Sequence, residues 1–74
     1  MRPPVPPRPS QRELRAAYDA GAERAREDAQ ALEGQPVPRA DTIRAVAATL
    51  YPNRPELASS WADGYAVQAG ELSR

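Results

Sequence analysis

Small and apolar residues recur at helical spacing along most of this chain. Leu14, Tyr18, Ala22, Ala25, Ala29 and Leu32 fall every three or four positions. Arg15, Asp19, Glu23, Arg26 and Gln30 lie between them. This is the period of an amphipathic helix with one face turned to a core. Ser10-Gln11-Arg12-Glu13 stands just ahead and reads as a capping box, in which the Ser10 hydroxyl and the Glu13 carboxylate each accept from the other's backbone N–H. The spacing predicts a helix over 11–33, stopped by Gly34 in a left-handed position.

Two further segments carry the same signal. Ile43, Val46, Ala47 and Leu50 predict a short helix over 41–50, with Asp41 as its N-cap. Pro52 disfavours helical geometry at Tyr51 and ends it. Asn53-Arg54-Pro55-Glu56 reads as a second capping box, with Pro55 in the first turn. The third helix is expected over 54–69, with Leu57, Trp61, Tyr65 and Leu72 marking its face. Gly64 lies inside it, and Gly70 is expected to weaken or end it.

The fold class that follows is all-α. It is a small three-helix domain over 10–74, with the long first helix paired antiparallel with the third and the short second helix bridging them. Residues 1–9, ahead of that domain, hold five of the nine prolines and predict an extended arm. This arm reads either as a structureless tail or as a docking peptide. Pro3, Pro6 and Arg8 fit the PxxPxR spacing that aromatic-lined grooves recognise.

A short echo links the two longer helices. Ala16-Ala17-Tyr18-Asp19-Ala20-Gly21 and Ser59-Ser60-Trp61-Ala62-Asp63-Gly64 both read small, small, aromatic, any, any, Gly. We read this as a crossing device that places Gly21 near Gly64, each ring covering the other helix's gap.

Composition sharpens the picture. The chain is 74 residues long and 41% hydrophobic, but half of those hydrophobic residues are Ala. A core this size supplies no more than ~3–5 kcal/mol of net stability, so chains of this length usually lean on disulfides, metals or partners. The chain has no Cys, no His and no Lys. Disulfides, thiolate zinc sites, imidazole bases and Schiff-base lysines are therefore excluded. Neither a membrane span nor a secretory signal is visible. Association with a protein is what remains, with itself or with another chain.

Charge adds one feature. Arg balances Asp plus Glu overall, but residues 1–15 and 35–54 are net basic while 16–34 and 55–74 are net acidic. Asp19, Glu23 and Glu27 share a helix face, which we read as solvated, because Arg24 and Arg26 neutralise it. Ser59 and Ser60 lack any base to activate them. The second and third helices have lengths suited to a helix-turn-helix, but the reading helix would carry Glu56 and Asp63 against Arg54, contrary to the electrostatics of DNA binding.

The Tyr18-x-x-Gly21 and Trp61-x-x-Gly64-Tyr65 segments, the all-Arg basic set and the Ala-rich helices over Leu14–Ala25 and Leu57–Ala69 resemble small accessory proteins of high-GC actinobacteria and their phages. That resemblance implies an inhibitor of a host factor, an assembly component or a small regulator, and it carries over no site residue.

The sequence-based expectation is a non-enzymatic, cofactor-free helical protein that binds a protein partner, in the cytoplasm or as part of a virion, with self-association as one form of that binding. Trp61, Tyr65, Tyr18, Pro3, Pro6 and Arg8 are the expected contact residues, and Gly21 and Gly64 mark the helix crossing. The alternative is a small DNA-binding regulator using helices two and three.

Overall fold

The computed structural model describes residues 8–31 and 39–72. Three helices account for nearly all of them: α1 (Gln11–Ala31), α2 (Ala40–Leu50) and α3 (Pro55–Leu72). There is no strand among the described residues. The arm up to Pro7, Leu32, the Gly34 stop and the connector prolines lie outside the described residues.

α1 begins as its sequence dictates. Ser10 N–H donates to Glu13 Oε2 at 2.9 Å, and Glu13 N–H donates to Ser10 Oγ at 3.2 Å. Two donors that the first helical turn would otherwise leave unpaired are thereby satisfied.

The other two starts differ from expectation. α2 begins one residue early, at Ala40, with Arg39 in the N-cap position and no side-chain cap. Asp41 instead sits in the first turn, where its charge meets the positive end of the helix dipole. Asn53 does not cap α3. It adopts a positive φ of 64°, and Arg54 N–H donates to the Tyr51 carbonyl at 3.2 Å. With the fixed φ of Pro52 before it, this is the geometry of a type II turn, which favours Asn or Gly at its third position. Pro55 then takes the first helical position, where its missing N–H costs nothing. Gly70 does not end α3, which continues to Leu72.

α3 is the spine. α1 and α2 each pack along it, and they make no close backbone approach to one another among the described residues. α2 and α3 form a hairpin about the 51–54 turn. The pair α1–α3 runs parallel, which corrects the antiparallel expectation. Arg54 Nη2 lies 3.7 Å from Glu13 Oε2, so the two helix starts meet. Towards the other ends, the Tyr65 hydroxyl donates to Asp28 Oδ2 at 2.6 Å. Glu13 and Arg54 each precede the helix crossing by ~10 Å or more of helix. In an antiparallel pair they would lie on opposite sides of it, beyond the reach of two side chains. The physical reason is that α2 takes the return stroke, which leaves α1 and α3 pointing the same way.

The crossing itself is made of backbone. A Cβ built on Gly21 would overlap the Trp61 carbonyl oxygen and lie 2.9 Å from that carbonyl carbon. A Cβ on Gly64 would overlap the Tyr18 carbonyl oxygen and lie 2.8 Å from its carbon. Each glycine therefore faces the peptide group of the other helix's aromatic residue, and the gap is filled by that carbonyl rather than by a ring. Ala17 and Ala25, one turn to either side of Gly21, are buried too. Small residues at this spacing let two helix backbones approach closely enough for Cα–H···O contacts.

Large side chains of α3 complete the core. Leu57, Trp61, Tyr65 and Ala69 are buried with Ala17, Ala25, Ile43 and Ala47. The Trp61 and Tyr65 rings lie 5.4 Å apart at a tilt of 32°. The buried stripe of α1 is rotated from the predicted one. Ala29 is exposed, and Asp28 takes its place on the inner face. On α2, Ile43 and Ala47 are buried, whereas Val46 and Leu50 are exposed, against expectation. A helix resting on a single neighbour buries only a narrow stripe.

Candidate interaction surface

The expected contact rings separate on burial. Trp61 is 3% exposed and Tyr65 4%. As folded, neither presents surface to a partner, which corrects the expectation that Trp61 is the first anchor. Ala-rich helices offer few other large groups, so the core takes the largest rings available. Tyr18 is half-buried on α1. Arg8 is exposed, and Pro3 and Pro6 lie outside the described residues.

Tyr65 keeps its hydroxyl useful inside the fold. It donates to Asp28, whose other carboxylate oxygen accepts from Arg24 Nε at 3.1 Å. Burial, then the hydrogen bond and negative charge of Asp28, push the Tyr65 phenol up to about 12. The triad holds α1 to α3 beyond the glycine crossing. It is a structural clasp between the two helices.

A groove opens between α2 and α3. Its volume is about 500 Å³. Arg44, Ala47, Ala48 and Tyr51 line it from one helix, and Pro55, Ala58, Ser59, Ala62 and Asp63 from the other, with Asn53 at the turn. The sequence explains its shape. Four alanines meet where α2 rests on α3, and their short side chains leave space. Tyr51 and Pro55 close the end next to the turn. Arg44 and Asp63 stand at the far end as the charged rim. Asp63 has no ion-pair partner among the described residues.

Sequence reasoning missed Tyr51 as the ring of this surface. The available signal was its place at the break before Pro52, where the ring ends α2 half-buried against the core.

The acidic row of Asp19, Glu23 and Glu27 is solvated, with Asp19 paired to Arg15 at 3.2 Å. Among the described residues, no group of three or more His, Cys, Asp or Glu is placed to hold a metal ion. No described helix is long and apolar enough to cross a membrane. No protein-family model, curated protein or solved structure matches this chain.

Proposed function

We propose that this chain is a small non-enzymatic protein-binding protein whose recognition surface is the α2–α3 groove. The observation that carries the reading is the groove itself: an apolar trough with a tyrosine at one end and an opposed Arg44 and Asp63 at the other. Such a surface suits an extended segment or a helix edge with one charged anchor. The accessory roles implied by the sequence resemblance, inhibition or assembly in a cytoplasm or a virion, are uses of a surface of this kind. The DNA-binding reading is disfavoured, because Glu56 and Asp63 lie exposed on the helix that would enter the groove of a duplex.

A photo-crosslinking residue at Ser59 tests this in an extract of the native source, against the same residue at Glu27 on exposed α1. Capture of a discrete partner at Ser59, absent at Glu27 and lost on Ala58→Arg, is the expected result. Equal capture at both positions, or capture unaffected by Ala58→Arg, refutes it. Light scattering on the same samples shows whether that partner is a second copy.

A further inference from the structure

We infer that the groove takes a second copy of this chain, which inserts the Val46–Leu50 edge of its own α2, so that copies join head to tail. This rests on the groove being a recognition surface and names its occupant.

α2 carries both halves of the contact. Ile43 and Ala47 are its buried residues and turn it onto α3. At 3.6 residues per turn, Val46 and Leu50 lie ~160° around the helix from Arg44 and Ala48. Arg44 and Ala48 line the groove, so Val46 and Leu50 stand on the opposite flank of the α3 contact. Val46 is 37% exposed and Leu50 50%. They are one helical turn apart and form a short apolar ridge. The groove offers the matching shape, about 500 Å³ over a floor of alanines. The molecule thus has a ridge without a seat on one flank of α2 and a seat without a ridge on the other.

Charge supplies the register. Arg39 is exposed on the ridge side, two turns ahead of Val46. Neither Arg39 nor Asp63 has an ion-pair partner among the described residues. Arg39 to Leu50 is ~17 Å along α2, and Pro55 to Asp63 is ~12 Å along α3. The arginine side chain spans the difference. With Leu50 of one copy at the Tyr51 and Pro55 end of the next, Arg39 reaches Asp63. Arg44, on the opposite rim, favours the Asp63 side for that guanidinium. The formal net charge of zero leaves no long-range repulsion between copies.

The symmetry follows from the placement. Ridge and groove face away from each other, so two copies cannot satisfy both in one reciprocal contact. Each added copy presents a free groove or a free ridge, and the contact repeats into a ring or a filament.

Light scattering and sedimentation of the purified full chain test this. The mass should climb past two copies as concentration rises. Leu50→Arg removes the ridge and Ser59→Arg obstructs the groove. Both positions are exposed, so circular dichroism should show parental helix content in each variant. Each variant alone should stay monomeric. An equimolar mixture should form a pair and stop there, because one intact ridge and one intact groove remain. Both substitutions add positive charge, so attraction between them cannot produce that pair. A charge exchange reads the register: Asp63→Arg should lose assembly, and adding Arg39→Asp should restore it.

A parent chain that is monomeric at every concentration overturns the inference. So does a mass that levels at two copies, assembly that survives Ser59→Arg, a mixture that stays monomeric, or a charge exchange that restores nothing. The two proposals fail separately. A monomeric chain that still captures another protein from Ser59 removes the self-contact and keeps the groove as a recognition surface. Assembly that needs Leu50 but ignores Ser59→Arg, with no capture from Ser59, removes both.

Discussion

The two sides of α3 show opposite ways of meeting another helix. On the side of α1, glycine faces peptide group and leaves no room for even a methyl at Gly21 or Gly64. On the side of α2, alanines face alanines and a trough is left. Both sides are built from small residues. The difference is in what lies opposite: a Cβ cannot be tolerated at Gly21 or Gly64, whereas the groove has room for whole side chains. Small residues therefore make a tight seam only when both backbones are brought against them, and otherwise they make a cavity.

The largest effect should come from filling the seam. In a free helix, Gly→Ala gains ~1 kcal/mol. Here Gly21→Ala or Gly64→Ala places a methyl on a backbone carbonyl that cannot rotate away, and we expect a loss of about 3 kcal/mol. Against a net stability of that order, the thermal midpoint by circular dichroism should collapse. An unchanged or raised midpoint would show that the helices cross elsewhere.

Next comes the clasp. Tyr65→Phe leaves the half-buried Asp28 without its phenol donor and should cost about 2 kcal/mol. It also changes the response to alkali. The Tyr65 phenol ordinarily titrates at 10.0 and is pushed up to about 12 by the fold. Its contribution is therefore complete below pH 10 and lost as the pH rises through 12. Urea midpoints taken below pH 10 and near pH 12 should fall less in Tyr65→Phe than in the parent chain. Parallel falls in both would break the assignment.

The smallest effect should come from Gly70. A Cβ there meets nothing within 4 Å, so Gly70→Ala should raise stability, by no more than ~1 kcal/mol. A loss there would mean that the seam extends further along α3 than the crossing at Gly64.

Much of the fold is legible locally. Ser10 and Glu13 specify the start of α1 by reciprocal bonds, Pro55 fits the first position of α3, and the aromatic–glycine echo marks the crossing. Each depends on residues a few positions apart. The direction of the α1–α3 pair does not, because an aromatic–glycine face reads the same either way along the chain. What sets it is α2 and the meeting of Glu13 with Arg54. The inner face of α1 is poorly marked for a related reason. Alanine surrounds much of that helix, so the rings of α3 decide which side turns inward, and Asp28 is taken in because Tyr65 can bond it. Asn53 looked like a cap because asparagine serves both caps and left-handed turns, and the proline before it selects the turn. The groove was the least visible element, since it consists of what alanines leave empty.

The spine arrangement has a mechanical consequence. α1 and α3 meet backbone to backbone at Gly21 and Gly64, whereas α2, among the described residues, packs along α3 and buries Ile43 and Ala47 in the shared core. The two contacts therefore respond oppositely to added bulk: a methyl in the seam meets a carbonyl, whereas a longer side chain along the trough meets open space.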